Sequence, residues 1–372
     1  MKKLTLQEKQ KTADALLHRI NELHTPGERV RIMEVCGTHT VSIFREGLRQ
    51  LLPAGIELVS GPGCPVCVTD QVYMDKALEY AKRDDVIIAT FGDMLKVPGS
   101  YSSLSEAQTQ GAHIHIIYTP LKVLELSKQN PDKHIVFLAI GFETTIAVIG
   151  ATVKAVAQAD VKNVFFLVSH KLVPPALRAL LDRHIGQIDG FILPGHVSVI
   201  IGEKPYGFLP NEYKIPSCIA GFDGVEILSA IVNILEQRQS GQFKVGNTYH
   251  SVVMKEGNPV AVRVMNEVYD VCDDTWRGIG VIPSSGLTLN EAYSFLDAEK
   301  VLTIQLEKPS MDPKGCQCGS VLQGLIKPNE CPLFGKACTP DHAVGACMVS
   351  VEGSCAAWYK YGFSSGGLAW ED

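Results

Sequence analysis

From Val30 onward, short runs of β-branched and aromatic residues alternate with stretches whose apolar positions recur at helical spacing. The runs are VRIMEV, IELVS, VIIATF, HIHIIY, HIVFLAI, NVFFLVS, GFILP and SCIA. Nearly continuous apolar strands separated by helices predict parallel βαβ units, with sheets covered by helices on both faces. Ahead of them, Thr5 to Leu23 opens with the capping pattern Thr5-x-x-Glu8 and carries Ala13, Leu16, Leu17 and Ile20 at helical spacing, which predicts an amphipathic helix outside the repeating pattern. Eight runs between residues 30 and 220 are more than one modest domain carries. The expected fold class is therefore α/β, with two parallel-sheet, Rossmann-like three-layer domains and a C-terminal cysteine-rich domain. The expected divisions are 1–130, 131–245 and 246–372, the middle boundary being soft enough for a discontinuous domain. The polar, Gly-punctuated stretch 240–258 reads as a linker or a hairpin.

Length and composition agree with this division. At about 150 residues per domain, 372 residues make two or three units, and 46% hydrophobic residues supply ample core. The net charge is −6, so no global positive field recruits phosphate backbones or anionic lipid, and nucleic acid is not an expected partner. The N-terminus has no apolar signal core, and the most apolar stretch, 135–157, is broken by Glu143 and Lys154. No membrane segment is expected, and a cytoplasmic location follows from that reading.

The chemistry sits where the strands end. The post-strand loops carry Cys36-Gly-Thr-His39-Thr40, Gly61-Pro-Gly-Cys64-Pro-Val-Cys67, Phe91-Gly-Asp93, Gly141-Phe-Glu143-Thr-Thr145, Ser169-His170-Lys171 and Pro194-Gly-His196-Val-Ser198. In open α/β sheets ligands bind outside the carboxyl ends of the strands, so these thiols, imidazoles and carboxylates predict a functional crevice. Cys64 and Cys67 have the spacing of a reversible disulfide at a helix start, or of half a zinc site. Cys36 and His39 suit a soft transition metal or an activated nucleophile, or a buried thiol beside a capping threonine. Glu143 reads as an acid-base group or as a helix cap. His170 and His196 read first as hydrogen-bonded structural histidines, and Asp93 as a group positioning backbone or ligand. Neither a complete dinucleotide fingerprint nor a P-loop is present, since position 66 is Val and Gly335-Lys336 lacks its flanking residues.

Of the 11 cysteines, six fall between Cys316 and Cys355, where even scattering would place about one. In a reducing compartment such a cluster points to metal ligation or thiol redox chemistry. Cys316, Cys318, Cys331, Cys338, Cys347 and Cys355 exceed the four ligands of one iron-sulfur cluster or one zinc, which suggests four ligands and one redox pair, without specifying which. The spare thiols favour iron-sulfur over zinc. Cys218 and Cys272 read as inert core thiols.

Together MEVCGTHT, GPGCPVCV, FGDMLKVPGS, GFETT, LPGHVSVIIG, WRGIGVIPSSGL and CPLFGKACTP…GACMVSVEGSCAAWY resemble the HypD family of hydrogenase maturation factors, in order and from about residue 31 to the end. The resemblance implies a scaffold that, with the small chaperone HypC, holds one iron while it acquires two cyanides and one carbon monoxide. It implies Cys36 as an iron ligand beside a cysteine of HypC, His39 close by, and Cys64/Cys67 as a thiol-disulfide pair. It further implies a 4Fe-4S cluster on Cys316, Cys331, Cys338 and Cys355, with Cys318/Cys347 as a second redox pair, in a layout similar to ferredoxin-thioredoxin reductase. Cyanide would come from HypE, with HypF upstream, and the hydrogenase large-subunit precursor would be served indirectly. Asp93, Glu143, Thr144 and His196 would line the crevice. Val41 and Ile146-Ala-Val148 depart from the family pattern, which touches loop geometry and leaves the thiols in place. The resemblance thus implies a redox-active assembly factor rather than a conventional small-molecule enzyme. The alternatives are an iron-sulfur protein-disulfide reductase and a non-catalytic zinc adaptor.

Overall fold

In the computed structural model, which describes residues 5–183 and 187–362, the chain builds two open sheets and a strand-poor C-terminal segment. The strands are β1 (Val30–Glu34), β2 (Ile56–Ser60), β3 (Val86–Thr90), β4 (Ile114–Ile116), β5 (His134–Gly141), β6 (Val164–Lys171), β7 (Gly190–Pro194), β8 (Ser217–Ala220), β9 (Val245–Asn247), β10 (Tyr269–Trp276) and β11 (Gly280–Leu289). All eight apolar runs are strands. The first sheet, in the order β2-β1-β7-β8-β9, is parallel throughout. The second, in the order β10-β11-β6-β5-β3-β4, has a parallel core to which β11 and β10 add antiparallel.

The sheets do not follow the expected division at residue 130. β1 and β2 close onto β7 to β9, while β3 to β6 form the other sheet between them, so each sheet draws strands from both sides of that boundary. Local periodicity identifies a strand but carries nothing about which distant strand it pairs with. The 240–258 stretch is neither linker nor hairpin, for Val245–Asn247 pairs in parallel with β8 as an edge strand. Nor do residues 246–372 form a purely cysteine-rich unit, since β10 and β11 extend the second sheet.

The N-terminal helix Leu6–Leu23 has the expected capping box at Thr5 and Glu8 and packs on the helix Gly224–Ser240, burying Ile20 and Leu23. No helix among the described residues is long and apolar enough to cross a membrane.

Each sheet has one place where successive crossovers leave in opposite directions, between β1 and β7 in the first and between β3 and β5 in the second. Loops diverge at such a point and leave a crevice at the strand carboxyl ends. Cys36 and His196 follow β1 and β7, and Asp93 and Glu143 follow β3 and β5.

Candidate functional site

Cys36 is the last extended residue before the helix Gly37–Arg45, and its side chain is buried. Its amide donates to the Glu34 carboxylate at 3.1 Å. Gly63 lies directly against it: a Cβ there would come within 2.3 Å of the Cys36 nitrogen, so only glycine lets the two cysteine loops meet. The Gly37 amide donates to the Gly63 carbonyl at 3.1 Å, tying the loops together.

Cys64 begins the short helix Pro65–Val68, and the Cys67 amide donates to its sulfur. Cys64 and Cys67 are joined as a disulfide, with Cα atoms 5.3 Å apart. The chain leaves helical geometry at Thr69 and Asp70 and continues as the helix Gln71–Ala81.

Burial sets the electrostatics. It pushes the Cys36 thiol up to about 12, with the nearby Glu352 carboxylate adding to the rise. Burial raises Glu34 to about 7 against the hydrogen bonds it accepts from Ser60, Thr40 and the Cys36 amide. His39 is fully buried and held down to about 4 by desolvation, with Nε2 donating to the Gly221 carbonyl at 2.8 Å and Nδ1 without a partner. Phe222 lies between His39 and His196, with ring centroids 4.8 and 4.0 Å away. His196 is exposed and stacked, in contrast to the structural histidine expected there.

Glu143 is buried and raised to about 7 by desolvation. It opens its own helix, Glu143–Gln158, yet its Oε1 accepts from the Val173 amide, so it caps the neighbouring helix Val173–Asp182 instead. Oε2 has no partner. Tyr206, buried with its hydroxyl 3.3 Å from Ser198 Oγ, lies in the field of both Glu143 and Cys36 and connects the two crevices. Thr144, next to Glu143, is half-buried. His170 is buried in the second sheet with neither ring nitrogen hydrogen-bonded, packed edge-on against Tyr269, which corrects the hydrogen-bonded role expected of it.

The C-terminal segment lies across these loops. Helix Ala346–Val349 packs on Pro65–Val68, and helix Ser354–Tyr361 packs on Gly37–Arg45. Thr38 donates to Glu352 at 2.7 Å, and Ser350 donates to Asp93 at 2.8 Å. Asp93 therefore positions this segment, and Glu352 faces Cys36.

Five of the six C-terminal thiols converge. Cys316 and Cys318 interact, and Cys318, Cys347 and Cys355 hydrogen-bond one another. These bonds lower Cys355, the shared acceptor, and raise Cys347. Cys338 is close enough to feel Cys318 and Cys316, and the Val344 amide donates to its sulfur. Cys331 is half-buried on the same core cluster but makes none of these sulfur contacts. Gly345 backs the group, since a Cβ there would meet the Cys318 and Cys316 sulfurs at 2.5 and 2.6 Å. Buried thiols of this number and softness fit an iron-sulfur cluster or another soft metal by donor chemistry. Among the described residues no three His, Cys, Asp or Glu groups are already disposed around one ion position. Cys218 is buried in the first sheet and Cys272 is half-buried on β10, both away from this gathering.

Sequence reasoning missed Glu34, Tyr206, Glu352 and Arg277. For Glu34 the available signal was a carboxylate ending an apolar strand. The rest become visible only when distant segments are brought together.

Fold and site define an α/β protein whose strand-end thiols are covered by a thiol-rich C-terminal segment. The family model described as "HypD: Hydrogenase formation hypA family" matches residues 11–362, and the chain belongs to that family. It is 42% identical over 348 residues to the hydrogenase maturation factor HypD of Escherichia coli K12, covering 93% of each chain. It is 41% identical over 358 residues to the hydrogenase expression/formation protein HupD of Azotobacter chroococcum, covering 94% of each. With HypD of Rhodobacter capsulatus the identity is 42% over 342 residues, 91% of each.

Proposed function

We propose that this chain matures hydrogenase, serving with HypC as the scaffold on which iron acquires two cyanides and one carbon monoxide. The observation that carries this reading is the placement of the C-terminal thiols over the Cys36 and Cys64/Cys67 loops. In this scheme Cys36 holds the cargo iron together with a cysteine from HypC, and cyanide arrives from HypE, with HypF upstream.

The residues divide the work. Cys36 must lose its proton to bind iron, and burial prevents that until a cation arrives to offset the thiolate charge. Glu34, buried and held at about 7, is suited to take that proton, while Glu352 faces the same site. His39, kept neutral by burial, and Phe222 wall the pocket against water. Glu143 and Tyr206 extend the wall toward the second crevice. Cys64/Cys67 exchanges two electrons as it passes between disulfide and dithiol, and Cys318/Cys347 serves as the second such pair. A resident 4Fe-4S cluster on Cys316, Cys331, Cys338 and Cys355 would supply electrons singly to these thiols.

Anaerobic purification followed by iron, sulfide and zinc analysis tests the scheme. The expected result is about four iron and four sulfide per chain with broad absorption near roughly 400 nm. The complex with HypC should then show cyanide and carbon monoxide infrared bands. About one zinc in a colourless protein would overturn the redox scheme.

A further inference from the structure

Among the described residues Lys171 and Arg277 are buried cations and Arg49 is half-buried, and two of these three have an evident reason to be there. Lys171 pairs with Asp274 and donates to the Thr275 carbonyl. Arg49 lies over the Phe44 and Trp358 rings and donates to the Leu58 carbonyl. Arg277, 5% exposed, differs: its Nε donates to the Thr69 carbonyl at 2.8 Å, but both terminal nitrogens are buried without any hydrogen-bond partner. Among the described residues no carboxylate forms an ion pair with it. An uncompensated buried charge costs several kcal/mol, so a guanidinium held this way calls for an anion.

Where those free N–H groups lie is fixed by the backbone on either side. The Arg277 amide donates to the Val68 carbonyl at 2.9 Å, immediately after the Cys64/Cys67 helix. Gly278, at φ +71°, is pressed against Gly319 of the helix Cys318–Leu322, so closely that a Cβ would fall 2.2 Å from the Gly319 Cα. Gln323 closes the joint by donating to the Gly278 carbonyl at 2.8 Å. The Arg277–Gly278 backbone is thereby clamped between the disulfide loop and the start of the helix that carries Cys318, and the guanidinium is held at the Thr69 carbonyl. Cys318 and Cys347, with Asp70 and Asp312, lie within electrostatic reach of it. Its free N–H groups can donate charge-assisted hydrogen bonds to an anion.

We propose that Arg277 is the built-in counter-ion of the C-terminal sulfur centre, its free terminal N–H groups stabilising negative charge on the Cys318/Cys347 side and so setting the reduction potential there. The inference rests on the iron-sulfur and redox-thiol reading above. Reduction adds negative charge, so a fixed cation favours the reduced form. Arg277→Met, of similar length and uncharged, should lower the midpoint potential of the iron-sulfur centre. The expected change is about tenfold in the reduced-to-oxidised ratio, or about 59 mV for one electron. Iron and sulfide per chain should stay the same, and Arg277→Lys should recover most of the shift.

A second arm uses the full chain stripped of metal and equilibrated in glutathione buffers. There the reduced Cys318/Cys347 pair, carrying one thiolate beside Arg277, loses one proton and two electrons in forming its disulfide, and glutathione disulfide takes these and one solvent proton to give two thiols. Arg277→Met should move this equilibrium toward the protein disulfide, again about tenfold, or about 30 mV for two electrons. Should the Met variant fail to accumulate, Arg277→Gln replaces it in both arms. Unchanged equilibria in both arms would overturn the proposal and leave Arg277 a purely structural clamp. A parent protein lacking iron and sulfide would instead defeat the cluster reading, and the glutathione arm alone would then decide the role of Arg277.

Discussion

The strand-end loops and the C-terminal segment both concentrate cysteine, yet they hold it differently. Cys36, Cys64 and Cys67 stand on turns fixed by parallel strands, by Gly63 pressed against the Cys36 backbone and by the Gly37–Gly63 hydrogen bond. Cys316, Cys318, Cys338, Cys347 and Cys355 sit on short helices and loops and contact one another instead. The first region places single sulfurs by backbone geometry. The second holds its sulfurs against one another by side-chain contact. The same residue type is thus placed by backbone geometry in one region and by sulfur–sulfur contact in the other.

The sharpest way to break that comparison is to delete one thiol from each. Cys36→Ala should abolish hydrogenase maturation in cells, by at least about 100-fold, while iron and sulfide per chain stay at the parent level. Cys355→Ala should lose iron and sulfide as well as maturation. Reversed outcomes would mean the roles of the two regions have been exchanged.

Two glycines sharpen it further. In Gly63→Ala the new methyl meets backbone that cannot move aside, so the urea midpoint should fall by an amount worth about 2 kcal/mol. In Gly345→Ala the methyl meets only the Cys318 and Cys316 sulfurs, which can rotate. Stability should change by less than about 1 kcal/mol, while metal uptake falls. Equal stability losses would erase the distinction.

Glu143 gives a smaller, pH-dependent effect. Its folded value, about 7, lies above the ordinary 4.5, so the folded chain retains a proton that the unfolded chain has released. Stability therefore declines as pH rises from about 4.5 to about 7 and is level above that. Glu143→Gln should remove this decline, so that its stability relative to the parent improves by up to about 3 kcal/mol between pH 4.5 and 8. Denaturant midpoints across that range read it directly. The smallest effect belongs to Cys218→Ala, a cost of about 1 kcal/mol for an inert buried thiol, with maturation unchanged.

The strands that could be read from sequence were those with unbroken apolar runs. β10, YDVCDDTW, alternates around three carboxylates, and β11 contains Gly280, Pro283 and Gly286, so both hide their pairing in residues that elsewhere mark loops. The cysteines announced themselves by spacing. Glu352 and Arg277 did not, because their meaning comes from Thr38 and from Thr69, segments far away in the chain. Glu143 reads from sequence as an acid-base group or as the cap of the helix it precedes, and the amide it accepts from belongs to a helix thirty residues later.

The interleaved sheets also impose an order of events during synthesis. Arg31 at the start of the first sheet bonds to Asp189, 158 residues further on. At a translation rate of about 5–20 residues per second, the loops bearing Cys36, Cys64 and Cys67 emerge from the ribosome roughly 6–30 s before β7 can close over β1. The intervening second-sheet strands can collapse during that interval, while the first sheet remains a two-stranded edge. These three thiols therefore meet the oxidants and chaperones of the nascent chain's surroundings before the fold can shield them.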